Sequence, residues 1–310
     1  MRNYMVFDVG GTEVKYAVIN NNGEFLKKGS FPSSPHDFEK FTSDLLEITS
    51  ENRLEYQVAG LAFSTPGGVD SEKGTIGGAS ALPCIHGPNF KEIFGNATGL
   101  PVEIENDANC AALGEVWRGA GKENSDVLFV VIGTGIGGAV VKDRKIHKGV
   151  HLHGGEIGYM VLDTVMENGK VKFRTWSELA ATASLVRHAA RAKGIDSTGL
   201  NGKIIFEGAE AGDHIFQEVI DHFYLNLAKG IFNIQYVYDP EKIIIGGAIS
   251  NREDLIDEIY KKMDLILDSV KNAKVRPVIE VCQFRNDANL LGALYNYLQR
   301  QGPNSERTIA

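Results

Sequence analysis

A strand that breaks into a glycine turn and returns as a second strand occurs twice in this chain, once at the head of each half. Residues 4–9 are apolar, alternating and rich in aromatic and β-branched types, Gly10-Gly11-Thr12 is a turn, and residues 14–19 run back as a strand. Asn21-Asn22-Gly23 is a strong hairpin signal, and residues 25–31 complete a meander. The pattern recurs with an apolar strand at 126–132, the run Gly133-Thr134-Gly135-Ile136-Gly137-Gly138, and a returning strand at 139–141. An internal duplication is architectural information. It implies two α/β lobes, each presenting a glycine hairpin, with one ligand expected between them.

The other segments fit two such lobes. Helical spacing is expected at 37–48, a buried strand at 57–64, a strand at 102–105 and a helix at 108–117. In the second half, helices are expected near 177–192, 217–238, 253–270 and 287–299, with strands at 242–245 and 278–282. No Pro/Ser-rich linker separates the lobes, so the boundary is packed, near residues 118–125. This gives a small lobe at 1–117, a large lobe at 118–286, and a helix at 287–300 that packs back on the small lobe. The polar tail at 302–310 is expected to fray.

Bulk properties remove several function classes. The 310 residues carry a formal net charge of -8 and no basic run, which argues against nucleic acid or an anionic membrane as a partner. Cys84, Cys110 and Cys282 are too scattered for a disulfide framework or a CxxC metal site, which fits a reducing compartment. The first apolar run is cut off at Asp8, so no signal peptide is read, and the longest uncharged stretch, 127–141, is too short and Gly-rich to span a bilayer. These features predict a cytoplasmic protein.

Five runs carry chemistry, each with a competing reading. Asp8-Val9-Gly10-Gly11-Thr12 follows a strand. Glycine there lets backbone N–H groups wrap an anion, Thr12 adds a hydroxyl, and Asp8 could hold a hydrated Mg²⁺; the alternative is an ordinary Gly-Gly hairpin. The Gly133–Gly138 run matches GxGxxG, but a dinucleotide fold needs a helix directly after the glycines, and residues 139–143 read as strand and turn. No P-loop run occurs. Glu105-Asn106-Asp107-Ala108-Asn109 sits where a strand gives way to a helix. An N-cap explains one such residue; a general base at Asp107, its ionised form favoured by the helix N-terminus, with Asn106 orienting the same substrate, explains more. Ile244-Ile245-Gly246-Gly247-Ala248 lets a flat ligand such as adenine lie on backbone, or is a tight strand-to-helix turn. Glu156, in His153-Gly154-Gly155-Glu156, could accept two sugar hydroxyls; with His151 and His153 it could also suggest a metal site, though loop histidines in solvent explain those two better.

Together these runs resemble the ROK family of sugar kinases and repressors, over nearly the whole chain. DVGGT and IGTGIGGA look like its two phosphate motifs, ENDAN like its catalytic segment and IIGGA like its adenosine motif, in the family's order. The resemblance implies an α/β actin-like ATPase (ribonuclease H-like) fold and transfer of the ATP γ-phosphoryl to a sugar 6-hydroxyl. It implies Asp107 as base, with Asn106, Glu156 and, by backbone, Gly67 and Gly68 on the sugar; Glu178 aligns with a further sugar-binding acid. Asp8, Gly10, Gly11, Thr12, Lys15, Gly133, Thr134, Gly135, Gly137, Gly138, Gly246, Gly247 and Ala248 are implied at ATP, with Mg²⁺ near Asp8, and a homodimer is a family expectation.

Two departures matter. Many members carry a cysteine-rich zinc loop and a Gly-His; here residues 161–175 hold no cysteine and the pair is Gly158-Tyr159, so no zinc is expected. Repressor members carry a helix-turn-helix before the first strand, and this chain starts at that strand, so no DNA binding is expected. Tyr159 also bears on the sugar pocket. The runs GEIGYM and ENDANC, Gly77-Gly78 with Asn89-Phe90, and Lys203-Ile204-Ile205-Phe206 with Ala211-Gly212-Asp213 are similar to β-glucoside kinases. A β-glucoside such as cellobiose, or glucose, is therefore the expected acceptor. An N-acetylmannosamine or other hexose kinase and a non-catalytic sugar sensor are the competing readings, and the intact Asp107 with both phosphate motifs counts against the sensor.

Overall fold

A computed structural model describes residues 1–302, so the expected frayed tail lies outside the described residues beyond Gly302. By internal contacts the chain divides into two units: 1–123, 140–154 and 283 onward in the first, and 124–139 and 155–282 in the second. The division passes through one strand, between Ala139 and Val140, and gives the first unit a segment from the middle of the chain.

The first unit opens with β1 (Asn3–Val9), β2 (Glu13–Asn20) and β3 (Phe25–Pro32), an antiparallel meander. Helix α1 (Phe38–Tyr56) follows, capped by Asp37 accepting from the Lys40 N–H, and runs a further two turns past the expected stretch before Gln57 ends it in a left-handed conformation. Next come β4 (Val58–Thr65), the short hairpin β5 (Gly68–Asp70) and β6 (Thr75–Gly77), α2 (Phe90–Thr98), β7 (Val102–Asn106) and α3 (Asp107–Arg118). The sheet order is β3-β2-β1-β4-β7, with β1, β4 and β7 parallel. One face packs Phe7, Phe41, Phe63, Phe90 and Phe94 into a single aromatic cluster, Phe7 stacked on Phe63 at 5.1 Å and Phe63 edge-on to Phe90 at 5.5 Å. Each such ring contributes roughly 1.5–3 kcal/mol by burial.

A second sheet repeats the plan. β8 (Val127–Ile132), β9 (Ile136–Lys142), β10 (Lys145–Ile146), β13 (Lys242–Gly246) and β14 (Ile279–Val281) form it in the order β10-β9-β8-β13-β14, strand for strand the order of the first. The division cuts β9, and β10 falls in the first unit. Between β10 and β13 lie the hairpin β11 (Val161–Glu167) and β12 (Lys170–Thr175), then α4 (Trp176–Ala180), α5 (Thr182–Lys193), α6 (Gly202–Glu210) and α7 (His214–Tyr238). The expected single helix at 177–192 is two: Ala181 is extended, and α5 starts afresh. Trp176 is fully buried because Gly230 of α7 admits it; a Cβ there would stand 2.1 Å from the indole.

After α8 (Leu255–Ser269) and β14, the last described element is α9 (Ala288–Gln301), a helix of the first unit. Its Leu290, Leu291, Leu294 and Tyr297 cover the other face of the first sheet, on Tyr4, Val6, Ile19 and Ala62, together with Cys110 of α3. Among the described residues no helix is long and apolar enough to cross a membrane.

Candidate active site

In the first unit, three parallel strands end in one row of polar residues. Asp8 of β1 is in register with Ser64 of β4, and Ser64 with Glu105 of β7. Register partners point to the same face of a sheet. Ser64 Oγ donates to Asp8 Oδ1 at 2.8 Å, and Asn289 Nδ2, from the first turn of α9, donates to the same oxygen at 2.9 Å. Asp8 Oδ2 takes no protein donor among the described residues, which suits a carboxylate that meets an ion through water. Lys15 lies opposite Asp8 in the β1–β2 register.

The turn after Asp8 closes by the Gly10 N–H donating to the Glu13 carbonyl at 3.0 Å. A Cβ on Gly10 would stand 2.8 Å from that carbonyl oxygen, and one on Gly11 2.6 Å from Ala81. Both glycines are thus demanded by the fold itself. Thr12 beside them is exposed.

Asp107 opens α3 directly after β7. Asn106 Oδ1 accepts from the N–H groups of Ala108 and Asn109 at 3.0 and 3.2 Å, a cap worth about 1 kcal/mol. Its Nδ2 donates to the Gly67 carbonyl at 3.0 Å, so Asn106 joins the helix start to the Gly67-Gly68 turn. Asp107 Oδ1 accepts from the Ala108 N–H at 2.8 Å. That contact favours the ionised form, as the helix N-terminus does. Burial of the carboxyl and, after it, the nearby Asp8 charge outweigh this and hold the Asp107 carboxyl above its ordinary range. The helix N-terminus is expected to favour the ionised form; burial and the Asp8 charge act against it.

In the second unit, the Gly133 N–H donates to the Gly135 carbonyl at 2.9 Å and closes the β8–β9 turn. The Gly133 carbonyl accepts from the N–H and hydroxyl of Thr182 at 2.9 and 2.5 Å, and Ser177 Oγ accepts from the Ile136 N–H at 2.9 Å. A Cβ on Gly133 or Gly137 would meet nothing within 4 Å, and Thr134 and Gly135 are exposed. Space therefore stands open at these two Cβ positions. Gly138 differs: its Cβ would stand 2.7 Å from the Phe129 carbonyl oxygen. Gly247 has φ +92°, with a Cβ position 2.2 Å from the Ile132 carbonyl oxygen, and Gly246 backs onto the Phe129 ring; exposed Ala248 opens a 3₁₀ turn.

The same unit holds Glu156, Tyr159 and Glu178. A Cβ on Gly158 would lie 1.9 Å from the Ile136 carbonyl oxygen, so only glycine allows this segment to press onto β9. Glu156 and Tyr159 flank that contact and are exposed. Glu178 closes a capping box on α4: Oε2 accepts from the Thr175 N–H at 2.8 Å and Thr175 Oγ1 at 3.1 Å, and the backbone hydrogen bond holds its carboxyl below the ordinary range. His151 and His153 are exposed, and among the described residues no group of three His, Cys, Asp or Glu side chains is placed to hold a metal.

Within the first unit the fold gathers Asp8, Lys15, the Gly10–Thr12 turn, Gly67, Gly68, Asn106 and Asp107; the remaining expected residues belong to the second. Ser64, Asn289, Ser177 and Thr182 support these groups and were missed from the sequence. Asn289 lies 281 residues from Asp8, and no local pattern could have paired them.

Two sheets of identical strand order, each with a glycine turn after its first strand, and a carboxylate at a helix mouth define an actin-like sugar kinase. The chain belongs to the ROK family, whose profile matches residues 4–300. It is 34% identical over 295 residues to a β-glucoside kinase of Listeria monocytogenes, covering 95% of this chain and 97% of that one. A ROK family protein from Streptococcus pneumoniae solved in complex with sucrose is 39% identical, with a TM-score of 0.87 over 96% of this chain and 99% of that chain. A ROK family glucokinase from Streptomyces griseus, solved with glucose and AMPPNP, is 25% identical, with a TM-score of 0.75 over 97% and 100% of the two chains. The protein is an ATP-dependent sugar kinase, with ATP and a sugar as its small-molecule partners.

Proposed function

We propose that this kinase phosphorylates the 6-hydroxyl of a β-glucoside such as cellobiose, with glucose as a second acceptor. The observation that carries the chemistry is Asp107, a carboxyl set at the mouth of α3 and raised in proton affinity by burial. A carboxylate of that kind takes the proton of an attacking hydroxyl, and in a loose phosphoryl-transfer transition state the proton leaves late, so a moderate base suffices. Asn106, Gly67 and Gly68 stand beside it as sugar contacts. Glu156, Tyr159 and Glu178 are the second unit's proposed sugar contacts. The Gly10–Thr12 turn with Lys15, the Gly133–Gly138 run and Gly246-Gly247-Ala248 are assigned to ATP.

Mg²⁺, held through water at Asp8 Oδ2, would neutralise phosphate charge; no zinc is assigned. The β-glucoside preference is supported by the likeness to the Listeria enzyme and by Tyr159 at the position where a histidine is common. A panel of glucose, cellobiose, gentiobiose and N-acetylmannosamine with ATP, with the phosphorylated carbon placed by NMR, tests it. A higher kcat/KM for cellobiose or gentiobiose than for the monosaccharides is expected; N-acetylmannosamine as the preferred acceptor would reject the assignment.

A further inference from the structure

Lys148 lies in the loop after β10, far in sequence from the catalytic segment, and no motif marks it. Its Nζ makes three polar contacts, all in the first unit: the Val69 carbonyl at 3.1 Å, Ser71 Oγ at 2.5 Å and Glu105 Oε2 at 2.8 Å. An ammonium has three donors, so these acceptors consume all of them and leave none for a phosphate. Three separate acceptor atoms around one nitrogen also suit a compact ammonium better than a planar guanidinium.

Glu105 has only 2% of its side chain exposed. Its Oε2 also accepts from Ser71 Oγ at 3.0 Å. Its Oε1 accepts from the Asn106 N–H and from Asn109 Nδ2, both at 2.9 Å. The residues it grips thus flank Asp107 on either side. A buried carboxylate holds its place only if paired and fully hydrogen-bonded. Lys148 supplies the charge, and through Val69 and Ser71 it fixes the segment that follows Gly67-Gly68. The lysine is itself anchored: its carbonyl accepts from the Gly154 N–H at 2.7 Å, and a Cβ on Gly154 would stand 2.4 Å from the His147 carbonyl oxygen.

The geometry points to Lys148 and Glu105 as positioning residues that set the base-bearing helix start and the Gly67-Gly68 turn in fixed relation. This rests on the reading of Asp107 as the base. Neither residue touches the reacting atoms. Their role is to hold Asp107 and the sugar contacts in register, where a shift of about an ångström costs about a hundredfold in rate.

Lys148→Met and Ser71→Ala are assayed beside Asp107→Asn, well below each melting temperature. For Lys148→Met, kcat is expected to fall about ten- to a hundredfold and the sugar KM to rise, while the ATP KM and the nucleotide Kd stay within about twofold. Ser71→Ala, which keeps the ion pair, is expected to lose a few-fold in kcat with the same split. A general loss of structure would instead weaken nucleotide and sugar binding together. The assignment is overturned if either variant, once folded, turns sugar over at the parent rate, or if ATP affinity falls with kcat. If Asp107→Asn itself keeps the parent rate, the base reading fails instead, whatever Lys148→Met shows.

Discussion

Gly292 of α9 backs onto the carbonyl of Cys110 in α3 so closely that a Cβ would stand 1.6 Å from the oxygen. The contact is reciprocal, since a Cβ on Gly114 of α3 would stand 2.4 Å from the Ala288 carbonyl oxygen of α9. Two glycines let two helices meet backbone to backbone, and α3 is the helix that carries Asp107. Gly292→Ala is therefore expected to cost about 3 kcal/mol, as overpacking of a tight core does, and to lower kcat by displacing α3. Urea unfolding and steady-state rates check this; parent stability would contradict the packing.

Asp107→Asn should lower kcat by about a hundred- to ten-thousandfold, the range for a lost general base. Sugar binding, read by calorimetry, should be largely kept. Stability should not suffer. A carboxyl with a raised folded value binds its proton more tightly folded than unfolded, so ionising it opposes folding. That cost sets in as pH rises from the unfolded value through the folded one and persists at neutral pH. The asparagine, which cannot ionise, escapes it, and its melting temperature at pH 7 should equal or exceed the parent's.

The same shift governs the pH profile. Only ionised Asp107 accepts a proton, so the acid limb of kcat/KM should lie above the ordinary aspartate value of 3.8. Burial is the larger cause and the Asp8 charge a smaller one. Asp8→Asn should move the limb to lower pH without bringing it to the ordinary value, whatever it does to the rate. A limb unmoved in Asp8→Asn would show that the two carboxylates do not sense each other.

Glu103 is 3% exposed and accepts from Lys91 at 2.8 Å, Arg300 at 2.7 Å and Gln301 at 2.7 Å. It joins β7 to the first turn of α2 and to the last turn of α9. Glu103→Ala takes this partner from Lys91, leaves Arg300 with Glu72 at 2.9 Å, and should cost about 2 kcal/mol. Denaturant midpoints measure it. A loss under about 0.5 kcal/mol would class the cluster with ordinary surface pairs.

Elemental analysis of the purified protein should find zinc well below one per chain. Turnover should stop with EDTA and return with Mg²⁺. One tightly held zinc per chain would overturn the reading of the cysteine-free 161–175 segment.

Much of the fold is legible in the sequence because its signals are local. Apolar runs, alternating in β1 and near-continuous in β4, β8 and β13, marked strands of both sheets, and glycine marked turns between them. What was missed carried weaker or overlooked signals. The β11–β12 hairpin exposes Val161, Met166 and Phe173, so burial imposes no alternation on it, yet Asn168-Gly169, both at positive φ, is a hairpin dipeptide and could have found it. Asn89 before α2 and Asn201 before α6 are caps that would have marked those helices. In the site, Asp8, Asn106 and Asp107 stood out because each sits where an element changes type.

By itself the sequence determined the duplicated plan, the order of the motifs and the chemistry those side chains can offer, since periodicity and turn preference act over a few residues. Only the tertiary structure decided which glycines are open above and which are packed shut, that Asn289 holds Asp8, and that Lys148 clamps Glu105. It also decided how tightly Asp107 keeps its proton. Desolvation and charge act through space, among groups that the chain brings together only when it folds.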